Sequence, residues 1–248
     1  MVTIFLAVVG GLLPAVVWLW FWLKEDEQKP EPAGYILQAF FIGGFAVLIA
    51  FFLERPLLLV FGELKNTYVS LAGFDLTTLP IILAQCSLIL SWAAIEEIIK
   101  YLAARFTVFE HRAFDEPIDA MIYIITVALG FAAIENALFL FDALTHNGGQ
   151  LYFLLTGQLR FLGATIVHVV SSSVTGAAVA FTFYKSPQVK AIIIPLGLLL
   201  AIVLHALFNF FIINNDGSNA FLVMAVLWIA ALVVILLFER VKQITKPI

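Results

Sequence analysis

Apolar residues run in long blocks along this chain, and polar residues collect between the blocks. A membrane-spanning helix needs roughly 20 mostly apolar residues. Seven blocks reach that length, at about 2–23, 35–53, 79–109, 118–144, 151–184, 191–213 and 220–238. The pattern predicts an all-α, polytopic transmembrane bundle, and the lack of period-two alternation argues against a transmembrane barrel. The third and fifth blocks exceed one span, so they are expected to tilt, kink or run into the headgroups. Residues 54–78 read as an outer loop with an interfacial segment. Within them, 56–61 are apolar enough that an eighth, partial span is the second-ranked alternative. Residues 24–32 form a polar linker whose prolines, Pro30 and Pro32, end the first helix and set an extended turn.

Composition agrees with the block pattern. Of 248 residues, 63% are hydrophobic and 12% charged, and the mean hydropathy is +1.07. About 25% charged residues is usual for a soluble domain, so a soluble globular protein and a disordered chain are both excluded. The formal net charge is −4, from 13 Lys and Arg against 17 Asp and Glu. No basic surface exists to track phosphates, so nucleic acid is not an expected partner and the lipid bilayer is. The single cysteine, Cys86, forbids an intramolecular disulfide and a cysteine-based zinc site. It has no cationic neighbour and reads as inert. The length suits one integral-membrane domain over 1–248.

Loop charges set the orientation. With the N-terminus outside, the inner loops and tail hold Lys24, Lys29, Arg105, Arg112, Lys185, Lys190, Arg240, Lys242 and Lys246, while the outer loops hold only Arg55 and Lys65. Lys100 and Arg160 lie inside apolar blocks. The expectation is therefore N-out and C-in, in the cell membrane. The first block lacks a basic leader and is followed by Lys24-Glu25-Asp26-Glu27 rather than a cleavage motif, so it reads as a retained helix.

Ionisable groups inside spans are expensive and mark functional sites by default. Block three carries Glu96-Glu97-x-x-Lys100, block four Phe131-x-x-x-Glu135-Asn136, block five His168 followed by Ser171, Ser172 and Ser173, and block six His205-x-x-x-Asn209. Residues four apart share a helix face, which pairs Glu96 with Lys100, His168 with Ser172 and His205 with Asn209. Adjacent Glu96 and Glu97 point about 100° apart, so one is expected to face a site and the other to pair with Lys100. Each group alone has a structural reading: an interhelical ion pair, a polar clamp, a satisfied core histidine, a hydrogen-bonded pair. Four such groups on four consecutive blocks exceed what packing needs. Ser171–Ser173, Gly163, Gly176 and Ala177 read as small residues that let helices approach, as do Gly10-Gly11 and Gly43-Gly44. H-E-x-x-H, G-x-S-x-G and Walker motifs are missing.

This constellation resembles the PrsW family of intramembrane proteases, within the wider group that holds the CAAX prenyl endoproteases. The motifs carrying the resemblance are Glu96-Glu97-Ile98-Ile99-Lys100, Asp119 through Gly130-Phe131-Ala132-Ala133-Ile134-Glu135-Asn136, His168 with Gly176, and His205-Ala206-Leu207-Phe208-Asn209. They cover about residues 90–212, in order and at matching spacing. The span followed by Pro30-Glu31-Pro32 is similar to the family's opening. Ala120 departs from the glycine expected after Asp119, two turns or more before Glu135.

The resemblance implies an intramembrane endopeptidase acting on a membrane-anchored protein such as an anti-sigma factor. It makes Glu96, Glu97, Glu135, His168, His205 and Asn209 the candidate catalytic set, with Lys100, Asn136 and Phe131 behind them. By resemblance to the CAAX endoproteases, Glu96 is the general base, and Glu135 stands where those relatives carry a histidine. Glu97 and Lys100 hold the helix and tune Glu96, and His205 and Asn209 donate to the oxyanion, worth roughly 3–4 kcal/mol per donor in a dry site. Glu96, Glu135, His168 and His205 also offer ligands that zinc accepts. Family usage favours Zn2+; sequence spacing does not choose between zinc and a metal-free glutamate pair. Two rival classes are an ion- or proton-coupled transporter, for which Lys100 and the carboxylates could form a relay, and a non-catalytic scaffold of the same fold. Inverted repeats and broken helices, the mark of many transporters, are not apparent in the sequence.

Overall fold

A computed structural model describes residues 1–26, 29–71, 78–145, 157–158, 160–213 and 220–246; for 61–71, 78–82, 212, 213 and 220 the description is of backbone alone. All regular structure among the described residues is helical. The long helices are α1 (Val2–Leu23), α2 (Ala33–Leu71), α3 (Thr78–Phe106), α4 (Pro117–Thr145), α5 (Thr165–Phe181), α6 (Pro187–Ile213) and α7 (Ala220–Val241). A π-helical turn, Arg160–Ala164, leads into α5.

Six of these segments are long and apolar enough to cross a membrane, and α3 is not among them. It matches the others in length but carries Glu96, Glu97 and Lys100 in its second half. Large apolar side chains point outward around the bundle, including Phe41, Phe45, Phe52, Leu199 and Phe221. An apolar belt of that extent is an aggregation hazard in water and a solvent match in lipid. The chain is an integral, multi-pass membrane protein.

The expected outer loop at 54–78 is corrected over 54–71, which continue α2 through Pro56; residues 72–77 lie outside the described residues. A proline inside a membrane helix is tolerated because neighbouring groups take up the freed carbonyl. This extension replaces both the loop and the eighth partial span at 56–61. The linker prolines stand beyond the end of α1 rather than at it, and residues 29–32 are non-helical. α1 passes into a 3-10 turn, Lys24–Asp26, and Pro32 lies at the start of α2, its carbonyl accepting the N–H groups of Tyr35 and Ile36. The fifth block is two pieces, the π-helical turn and α5; its first residues, 151–156, lie outside the described residues.

α4 is the central post. Its sequence is apolar all round, as a fully surrounded helix requires, and it packs against α1, α2 and α5. Pro117 starts it, and Asp119 Oδ2 accepts the backbone N–H groups of Asp115 (2.8 Å) and Glu116 (2.7 Å), satisfying donors that the helix start leaves free. Lipid supplies little hydrophobic drive between helices, so close contact must come from small residues. Gly43 of α2 shows this: a Cβ there would sit 2.0 Å from the Val127 carbonyl oxygen of α4. That close crossing sets the depth at which α4 presents Phe131 and Glu135.

Candidate active site

Glu96 and Glu97 diverge as the helix turn requires. Glu97 points into the bundle and is 1% exposed. Its Oε1 accepts from Lys100 Nζ (2.7 Å), Ser171 Oγ (3.0 Å) and His205 Nδ1 (2.8 Å), and its Oε2 from Ser172 Oγ (2.7 Å). Glu96 points toward a cavity, and its buried Oε2 has no hydrogen-bond partner. Lys100 Nζ stands 3.6 Å from that oxygen, 2.9 Å from His168 Nδ1 and 4.7 Å from the centre of the Phe131 ring.

These bonds decide which nitrogen each histidine offers. Nδ1 of His205 donates to Glu97, which leaves Nε2 to carry the lone pair of the neutral ring, 3.8 Å from Glu96 Oε2. The Lys100 ammonium can only donate, so His168 Nδ1 accepts from it. His168 Nε2–H then donates to Glu135 Oε2 at 2.9 Å. The two imidazoles meet edge to face with centroids 5.0 Å apart.

Glu135 is also held by Arg160, whose Nη2 lies 2.6 Å from Glu135 Oε2. Arg160 Nε donates to Asn136 Oδ1 at 2.5 Å, and Asn136 Nδ2 donates to Thr165 Oγ1 at 2.9 Å. The guanidinium rests on the Phe139 ring, 3.9 Å from its centre. Arg160 reaches these groups from the π-helical turn, an irregularity that recurs at functional sites.

The cavity has a volume of about 540 Å³. Glu96, Glu135, His168, His205 and Asn209 all line it, with Arg160, Trp92 and Phe131. Glu54 of α2 lines it too, with a buried Oε1 that has no hydrogen-bond partner. Most of the remaining wall is apolar, from Val47, Ala50, Phe51 and Leu138.

Of the four expected zinc ligands, Glu96, His168 and His205 each bring one ligand atom within 4.8 Å of the others. Glu135 is not part of that group, and its Oε2 is paired with Arg160 and His168. Glu96 Oε2 is 3.7 Å from His168 Nδ1 and 3.8 Å from His205 Nε2. Nitrogen and oxygen ligands stand about 2.0–2.2 Å from zinc, so two on one ion lie at most roughly 4 Å apart. The orphaned oxygen, the free His205 nitrogen and this spacing fit zinc. Lys100 must release His168 Nδ1 for that nitrogen to serve, and Glu97 is already beside it to keep the ammonium.

By sequence, Ser171–Ser173 are small residues that let helices approach. Ser172 also donates to Glu97, Ser171 Oγ lies 3.0 Å from Glu97 Oε1 and 2.7 Å from the Val167 carbonyl, and Ser173 donates to the Val169 carbonyl at 2.5 Å. The sequence alone leaves Arg160 and Glu54 out of the site. A lone arginine in an apolar block, set against an extra carboxylate in the preceding block, is the available signal for Arg160. Glu54 was hidden by its assignment to a loop.

Residues 31–237 match the family described as PrsW family intramembrane metalloprotease. The chain is similar to Protease PrsW of Geobacillus kaustophilus, 28% identical over 239 residues, covering 94% of this chain and 90% of the relative. It is similar to Protease PrsW of Oceanobacillus iheyensis at 26% identity, covering 90% and 91% of the two chains. For Protease PrsW of Bacillus subtilis the figures are 24%, 83% and 82%. No solved structure matches the chain.

Proposed function

The chain belongs to the PrsW family of intramembrane metalloproteases, and on that premise we propose that Glu96 activates the water that cleaves a membrane-anchored protein substrate. The observation that carries this reading is Glu96 Oε2, a buried carboxylate oxygen without a partner at the wall of the cavity. Both oxygens of Glu97 have donors, whereas Glu96 Oε2 has none.

Peptide hydrolysis needs a proton acceptor for the attacking water and donors for the oxyanion. The Glu96 carboxylate takes the water's proton; with Oε2 as the oxygen that would face zinc, Oε1 is the acceptor. Asn209, one turn beyond His205 on the cavity wall, donates to the oxyanion. Glu97 holds His205 by Nδ1 and so aims Nε2 at the reacting position. Arg160 holds Glu135, and Glu135 holds His168. Glu96, His168 and His205 would hold zinc. When bound, zinc polarises the scissile carbonyl and brings a water's pKa toward neutrality.

The mostly apolar cavity suits an extended stretch of a single-span substrate, and an anti-sigma factor is one protein of that class. The topology proposed is N-out and C-in, with α3 crossing as a seventh span: nine Lys and Arg lie toward the inner side, against Arg55 and Lys65 on the extension of α2. The test is cleavage of a tagged single-span substrate by the purified chain in detergent. Cleavage by wild type and none by Glu96→Gln supports the reading; turnover by Glu96→Gln near the wild-type rate overturns it.

A further inference from the structure

A second acidic cluster lies at the end of the bundle where α1 finishes and α2 and α4 begin. Asp119 is 16 positions before Glu135 on α4, about 24 Å along the helix at the usual rise, so the cluster is separate from the catalytic cavity. Asp26, Glu31 and Asp119 each bring a carboxylate oxygen within 4.8 Å of the others.

Most of the atoms are already assigned. Asp119 Oδ2 accepts two backbone N–H groups at the start of α4. Glu31 Oε2 accepts the Tyr123 hydroxyl, and the Glu31 carboxyl also pairs with that of Asp119. Burial pushes Glu31 above its ordinary value, while its hydrogen bonds pull the other way. The backbone N–H of Glu31 reaches the Asp26 carboxyl. One atom is left over. Asp26 is 5% exposed, and its buried Oδ2 has no hydrogen-bond partner. The nearby Lys29 is turned onto Asp115 (2.6 Å) and Glu116 (3.0 Å). No ion pair reaches the three carboxyls among the described residues.

Three ionised carboxyls gathered around a buried orphan oxygen repel one another unless protons or a cation join them. The donor set is all oxygen, with carboxylates and a phenol at hand and no imidazole or thiol in the group. Hard divalent cations take such sets, and zinc sites usually include nitrogen or sulfur. We propose that Asp26, Glu31 and Asp119 bind a hard divalent cation of the Mg2+ and Ca2+ class, which clamps the end of α1 to the starts of α2 and α4. The role is structural. The ion ties the segment leading out of α1 to the post that carries Phe131 and Glu135.

The test uses the full chain in detergent, stripped with EDTA and given back one equivalent of zinc. Its melting temperature is followed while CaCl2 or MgCl2 is added, against KCl at matched ionic strength. Binding to the folded form alone raises the melting temperature with concentration, so a saturable rise of several degrees with Ca2+ or Mg2+ is expected. Asp26→Asn removes the orphan charge. It should melt at or above wild type without divalent ions, and its half-saturating concentration should be at least tenfold higher. Glu31→Gln should weaken the response likewise, which keeps the test open if one variant folds poorly. Glu96→Gln should keep the full response, because its carboxyl belongs to the other site. No rise in wild type with either ion overturns the proposal and leaves a proton shared between Glu31 and Asp119. An equal rise in Asp26→Asn overturns it as well.

Discussion

His205 Nδ1 lies 2.8 Å from Glu97 Oε1, and that bond leaves the other ring nitrogen facing Glu96. The two adjacent glutamates therefore have different work, one holding an imidazole and a lysine, the other facing the cavity. Glu97→Gln tests this. It leaves the Lys100 ammonium without its nearest carboxylate and replaces the charged acceptor of His205 with a neutral amide oxygen. Breaking a buried ion pair by removing one partner costs about 3–5 kcal/mol, so the variant should melt lower and lose activity together. Unchanged melting with lost activity would place Glu97 at the chemistry rather than behind it.

Glu96→Gln should behave in the opposite way. It keeps the shape and removes the proton acceptor, so cleavage should vanish. In protein stripped of metal its melting temperature should equal or exceed that of wild type, since the substitution removes a buried carboxylate oxygen that no group satisfies. A melting temperature several degrees lower would show that Glu96 is needed for the fold itself.

Arg160→Ala leaves Glu135 with His168 alone and frees Asn136 Oδ1. The expected result is a fall in kcat larger than any rise in KM, measured on the single-span substrate. Arg160→Lys should restore little, because an ammonium cannot reach two adjacent side chains with a planar fork. Full activity in Arg160→Lys would contradict the positioning role.

Asn209→Ala should lower kcat more than it raises KM, by about 10²–10³-fold, since an oxyanion donor acts mainly in the transition state. An effect on KM alone would make Asn209 a substrate-binding residue.

Orientation is open to direct labelling. In a Cys86→Ser background, a cysteine at Ser186, between α5 and α6, should be shielded from an impermeant reagent added outside intact cells. Labelling at that position would reverse the N-out arrangement.

The bundle was largely legible because lipid imposes one simple rule on composition. The first block, 2–23, coincides with α1 (Val2–Leu23), and the fourth, 118–144, falls one residue short of α4 at each end. The extension of α2 was misread because Glu54, Arg55 and Pro56 look like a helix end in water-based rules. In the bundle the helix runs on, and Glu54 lines the cavity. Within a helix, spacing set Glu96 beside Lys100 and His205 beside Asn209. Pairings across helices are not written in spacing. The grip of Lys100 on His168, of Arg160 on Glu135 and of Ser171 and Ser172 on Glu97 depends on which faces meet, and that emerges only from the packing of α3, α4 and α5.

The most direct test of the proposed centre counts metal beside activity. Protein purified without added metal is analysed for zinc, and cleavage of the tagged single-span substrate is measured on the same sample, before and after chelation and zinc return. If Glu96, His168 and His205 hold the ion, about one zinc per chain should accompany full activity. Chelation should lower both the cleavage rate and the melting temperature, zinc should restore both, and His168→Ala should bind less metal. Full turnover with well under one metal per chain would contradict the zinc centre and leave Glu96 and Glu135 to do the chemistry without it.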